Sequence, residues 1–251
     1  MRLFIFFIVA TFVVVPMLSG QGNTRTNVEK LPPYQRAFAN LPLNKRTDFI
    51  KHQREAARLY SEKRIIESLE SLKLAEKVFD QSPDLHNLRG SCYVEFRAFD
   101  KAMTSYRKAL SIAEGNSLIM FNIAEVYFVT RQWQQAHDKF DALIRQVPEE
   151  NVGLVRISEF KLMLCKLKLG KKQDAEILAM KYDYRDDTPF YYFAMASLAF
   201  EKEENTEAER WIARAGRIFR NPAIIDPWRD TLAEYGYIKS SLGGGGPTPD
   251  Q

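Results

Sequence analysis

Cysteine and histidine are scarce. The 251-residue chain holds two of the first and three of the second. Two thiols cannot build a disulfide framework or a four-thiolate metal site. Three imidazoles leave little material for metal or triad chemistry. No nucleophile elbow, zinc-protease helix, phosphate loop or dinucleotide fingerprint occurs, so no catalytic residue, cofactor or metal ligand is assigned. A large excess of one charge is also missing. Lys+Arg 36 against Asp+Glu 32 gives a net charge of +4, which makes no case for nucleic acid. Turn residues thin out in the middle. Between Leu43 and Asn221 the prolines are Pro83, Pro148 and Pro189, and the glycines are Gly90, Gly115, Gly153, Gly170 and Gly216. A strand-rich domain of that length needs many more. Beyond the first twenty residues no apolar run is long enough to span a membrane.

What is present begins with a sorting sequence. Arg2 precedes a run from Leu3 to Val15 that is apolar but for Thr11, and then Pro16, Ser19, Gly20 and Gly22. This is the layout of a cleavable signal peptide over residues 1–20, so export to a periplasmic or extracellular space is expected. The alternative is an uncleaved anchor, which would be the chain's one membrane contact. Residues 21–48, with Pro32, Pro33 and Pro42, read as a mostly irregular leader with a short helical turn near Tyr34 to Ala39. Residues 240–251, with Gly243 to Gly246, Pro247 and Pro249, read as a flexible tail.

The middle is rich in Ala, Leu, Glu, Lys and Arg, and its apolar residues recur at steps of three and four, as in Leu69, Leu72, Ala75 and Phe79. The spacing predicts short, one-sided helices that must stack to bury their faces. The stack repeats. Gly90, Tyr93, Phe99, Ala102, Tyr106 and Ala109 have counterparts 34 residues on in Ala124, Tyr127, Trp133, Ala136, Phe140 and Leu143. Upstream, Ala56, Leu59, Ile65, Ser68, Leu72 and Ala75 fill the same places. Small residues sit where two helices cross closely, and large ones fill the space beside them.

Together with Pro148, these residues resemble the tetratricopeptide repeat family. The resemblance implies an all-α, right-handed α-solenoid of about five helix-turn-helix repeats at 49–82, 83–116, 117–150, 156–188 and 189–222, of the kind found in exported bacterial proteins. The fourth unit is irregular. Gly170 and Ala175 set its register, residues 151–155 are inserted before it, and Lys166 and Ala179 stand where aromatics are expected. Asp226–Pro227 reads as the start of a helix over 223–239 that caps the open end of the stack.

In that family the first helix of each unit lines a concave groove. Carried over by position, the groove residues are Asn87, Ser91, Phe121, Glu125, Phe128, Phe160, Leu164, Phe193, Ser197 and Phe200. The resemblance implies a non-enzymatic scaffold for another protein or peptide, here an apolar or aromatic one. The Lys/Asn clamp for a terminal carboxylate is absent, because its place holds Asn87, Phe121 and Phe160. Two other readings stand. The aromatics are core, or the chain covers its own groove and joins an envelope assembly through its convex face.

Smaller signals are weaker. Arg46, Lys51, Arg54, Arg58, Lys63 and Arg64 gather on the first unit, either as a patch for acidic partners or anionic lipid or as a solvated helix face. Cys92 and Cys165 fall on equivalent places two units apart, on the order of 20 Å. A disulfide needs Cα atoms within about 7 Å, so two unpaired, buried thiols are expected. His52 and His86 repeat at 34 residues without a third ligand, and Asp183, Asp186 and Asp187 lack EF-hand spacing.

Overall fold

A computed structural model describes residues 31–239; the signal and the glycine tail lie outside the described residues. Every regular element described is an α-helix. The chain divides into two compact units, one ending at Ile119 and one beginning at Met120. The first holds α1 (Pro33–Ala39), α2 (Leu43–Ser61), α3 (Ile65–Val78), α4 (Pro83–Glu95) and α5 (Phe99–Ile112). Helix α6 (Ser117–Val129) runs across the division. The second continues with α7 (Trp133–Gln146), α8 (Val152–Lys168), α9 (Lys172–Ala179), α10 (Phe190–Glu201), α11 (Asn205–Ile218) and α12 (Pro222–Tyr235). Helices pack against their neighbours in chain order, α2 on α3 and α4 on α5 in the first unit, α8 on α9 and α10 on α11 in the second. The architecture is an α-solenoid of helix pairs. No helix among the described residues is long and apolar enough to cross a membrane.

The repeat is written into the turns. Lys63, Arg97, Arg131, Gly170 and Glu203 have φ between 56° and 75°, and each stands two residues before the second helix of its pair. In every case the left-handed residue donates its N–H to a carbonyl three residues back, and its successor donates to one five back. Arg97 N reaches Val94 O at 2.8 Å and Ala98 N reaches Tyr93 O at 2.9 Å. This is the Schellman ending of a helix. Four of the five positions carry a side chain, at a local cost of about 1–2 kcal/mol each. The two hydrogen bonds, at about 0.5–1.5 kcal/mol apiece, offset it.

Packing follows the small places. Ala56, Ala124 and Ala196 are fully buried, as are Leu72 and Phe140, and Ile212 is nearly so. At Gly90 the crossing is tightest. A Cβ built there would lie 2.5 Å from Tyr106 Cε1. Ala102, Ala109 and Ala136 are fully buried too, whereas Tyr93, Tyr127 and Trp133 are half-buried and Pro148 is exposed.

Three expectations need adjusting. The leader is helical from Pro33, and α2 begins at Leu43 rather than Phe49, behind Pro42 at φ −51°. Phe38 explains this. Its ring lies 5.3 Å from Phe49 and 5.4 Å from Phe79, so the leader closes the apolar face of the first pair. The inserted residues form the first turn of α8, which starts at Val152. The last helix starts at Pro222, not at Asp226–Pro227. Asn221 Oδ1 accepts from Ala223 N at 3.0 Å, and Pro227 sits inside the helix. Both Asn-Pro and Asp-Pro are starting signals, and the earlier one governs.

Candidate functional site

The second unit, residues 120–239, contains the candidate groove. Its centre is α8, whose inner residues Ile157, Phe160, Lys161, Leu164 and Leu167 are all buried. Phe121 and Phe128 pack edge-on to Phe140 at 5.8 and 6.3 Å, and Phe128 also meets Trp133 at 5.4 Å. These two aromatics belong to the core of the α6–α7 pair. Phe160 and Phe193 lie 6.2 Å apart and form one side of an aromatic box completed by Phe190.

The box is filled. Helix α12 folds back over α8 and α10 and presents Ile225, Trp228, Thr231, Leu232 and Tyr235, all buried. The Trp228 ring sits 5.3 Å from Phe160, 6.4 Å from Phe190 and 5.9 Å from Phe193. Tyr235 rests on Trp133 at 5.7 Å, with Lys168 Nζ 4.2 Å above its ring. Gly236, at φ 103°, ends the helix and turns Tyr237 back to stack on Phe200 at 4.9 Å. Phe160 and Phe193 are 0% exposed as a result. An open groove offering Phe121, Phe128, Phe160, Phe193 and Phe200 to solvent is therefore not what the structure holds. The helix expected to cap the end of the stack covers the inner face instead. It does so because its apolar stripe matches the aromatic box.

A buried charge cluster accompanies the aromatics. Lys161 Nζ lies 3.0 Å from Glu125 Oε1 and 3.2 Å from Glu234 Oε2, and 4.5 Å from the Phe128 ring centre. Burial opposes the ammonium, but the two carboxylates outweigh it and hold Lys161 charged. Burial raises Glu125 against the pull of Lys161. Asp230 is pushed up to about 6, first by burial and then by Glu234 and Asp226, with Lys161 opposing. Glu125, named from its place, is thus a partner of Lys161 rather than an open contact. Leu164 and Ser197 are fully buried, with Ser197 Oγ donating to Phe193 O. Lys161 and Glu234 escape a reading of the sequence, because charges on helices far apart along the chain carry no local signal.

A second cluster ties down the loop before α10. Arg156 stacks on Tyr182 at 3.5 Å and pairs with Asp186 at 2.9 Å, while Glu159 accepts from Lys181 and from Tyr182 Oη. Asp186 Oδ1 also takes the Thr188 N–H, and Asp183 pairs with Arg185. These acids serve the loop.

In the first unit Asn87 and Ser91 are buried. Ser91 Oγ donates to Asn87 O and meets Tyr106 Oη, both at 3.2 Å, so it is engaged within its own helix pair. Half of the basic cluster is paired with carboxylates. Arg58 pairs with Glu55 and Glu62, Arg64 with Glu67, and Lys63 with Glu95. That describes a solvated helix face. His86 Nε2 donates to Asp80 O at 2.8 Å. Cys92 and Cys165 are unpaired and buried.

No family model matches the chain, and no curated protein matches it. Solved structures do. PilF of Pseudomonas aeruginosa aligns with a TM-score of 0.55 at 14% identity, over 77% of this chain and 94% of that one. TTC0263, a TPR protein of Thermus thermophilus, gives 0.54 at 17%, over 73% and 98%. YrrB, described as a TPR protein with an unusual peptide-binding site, gives 0.51 at 15%, over 79% and 98%. At these identities the likeness concerns architecture alone, and it agrees with the 34-residue turns and the small places of the helix crossings: the chain has the tetratricopeptide-repeat fold.

Proposed function

We propose that the protein is a scaffold that binds another polypeptide, and that it works by holding rather than by catalysis. The observation that carries this is α12. A polypeptide helix already lies along the inner face of residues 120–239, with Trp228 in an aromatic box and Glu234 on a buried lysine. The face accepts a helix by burying one apolar stripe, the groove mode of recognition. The peptide-binding site described for YrrB supports the same class of partner here. The partner is apolar or aromatic, and a terminal carboxylate has no clamp to hold it. Export follows from the signal-like residues 1–20.

A second reading has its own support. Phe160 and Phe193 are 0% exposed, so a permanently covered groove leaves the outer helix faces for assembly in a cell envelope. Ile66 and Leu74 on α3, and Ile177 on α9, are exposed there. Affinity capture with the full chain from its source cells, followed by cross-link mapping, separates the two. Cross-links at α8, α10 and α12 support the groove. Cross-links at α3 and α9 support the outer faces. A chain that captures no protein overturns the scaffold.

A further inference from the structure

The internal helix shows what the groove recognises, and it fits imperfectly. The groove offers two stations. One is the box of Phe160, Phe190 and Phe193, filled by Trp228. The other, six and seven residues further along α12, is Lys161, met by Glu234, beside Trp133 and Lys168, met by Tyr235. Lys161 is 3% exposed and takes one further carboxylate besides Glu125. Helix α12 brings more acid than that. Asp226 and Asp230 accompany Glu234, and among the described residues the charged groups acting on Asp230 are Glu234 and Asp226, with Lys161 opposing them. Pro227 also lies inside α12, where it cannot donate to the carbonyl of Ala223.

We infer that this groove is a receptor for a helix of another protein that carries an aromatic side chain and, six and seven residues later, a carboxylate and a second aromatic, and that α12 is its exchangeable internal occupant. The inference rests on the scaffold reading. A partner helix with one acid at the place of Glu234, none at Asp226 and Asp230, and no internal proline makes the same contacts without the crowded charge or the missing hydrogen bond. The tether gives α12 its hold. A segment joined by a short linker competes at an effective concentration on the order of millimolar. A partner that binds the empty groove at about 10 μM is then weakened about a hundredfold by the occupied one.

The test uses the full chain with α12 dislodged by Trp228→Ala and Glu234→Lys, and a fluorescent peptide with the sequence of residues 221–239. Anisotropy should give a Kd on the order of 10 μM for the variant and about a hundredfold weaker binding to the wild type. A peptide with Glu234→Lys should lose at least about tenfold, and one with Asp230→Asn should bind more tightly. A variant that keeps its helical circular dichroism yet binds no peptide makes α12 a fixed part of the core and overturns the inference. If the variant does not fold, hydrogen exchange on the wild type decides. Exchange of α12 amides about a hundredfold faster than those of α8 supports an exchangeable occupant, and equal protection refutes it. Partner capture that persists while peptide binding fails refutes the occupant alone. Peptide binding without any captured partner refutes the scaffold alone.

Discussion

Gly90→Ala sets two well-measured effects against each other, and the structure decides the sign. Gly90 lies inside α4, where alanine improves helix propensity by about 0.8–1.0 kcal/mol. The new methyl would stand 2.5, 2.6 and 2.9 Å from three atoms of the Tyr106 ring. Non-bonded carbons rest about 3.5–4.0 Å apart, so the ring has to retreat by about 1 Å. It has nowhere easy to go. Tyr106 is 0% exposed, and its Oη meets Ser91 Oγ at 3.2 Å. Overpacking of this kind costs about 1–3 kcal/mol, leaving a net loss of about 0.5–2 kcal/mol. For a chain of this length the Tm should fall by about 1–8 °C. The chain also contains the remedy. Ala56 and Leu72 occupy the equivalent places one repeat earlier, both fully buried. In a Tyr106→Leu background the added methyl should therefore cost nothing, a coupling of about 1–2 kcal/mol in a double-mutant cycle. Thermal and urea melts followed by circular dichroism would measure all four proteins. A higher Tm for Gly90→Ala alone would refute the reasoning, since propensity would then outweigh the crossing.

Three further outcomes are expected. Lys161→Met should cost about 3–5 kcal/mol by urea denaturation, because Glu125 and Glu234 lose their cation while buried; adding Glu125→Gln and Glu234→Gln should recover most of it. Asp230 is raised from 3.8 to about 6 in the folded protein, so its contribution to stability is present below about pH 4 and is lost as pH rises through about 6. Asp230→Asn should accordingly raise Tm at pH 8 and leave it unchanged at pH 4, and an equal shift at both would contradict the crowding by burial, Glu234 and Asp226. Burial pushes the Cys92 thiol up to about 11 and the Cys165 thiol up to about 12. Titration of denatured, unreduced chain should find both thiols free, and the native protein should react with them far more slowly.

The helix pairs were legible because their packing is periodic. Gly90, Ala124 and Ala196 mark the crossings, and the left-handed turn at Arg97 recurs 34 residues on at Arg131. Even the irregular unit keeps its place, because Gly170 carries the same turn. What escaped the sequence was contact between segments far apart along it. Phe38 closing the first pair against Phe79, Lys161 held between Glu125 and Glu234, and Trp228 seated against Phe160 join residues tens of positions apart. The aromatics Phe121, Phe128, Phe160, Phe193 and Phe200 are visible as a set. Whether an aromatic at such a place is lined, filled or buried depends on which other helix lies over it, and the local pattern is the same in each case.

The order of α8 and α12 along the chain has a consequence during synthesis. Phe160 emerges roughly 70 residues ahead of the tryptophan that covers it, an interval on the order of 3–14 s at ordinary rates of translation. For that time the nascent chain displays an uncovered aromatic surface, and a ribosome that stops before α12 releases a product that displays it permanently.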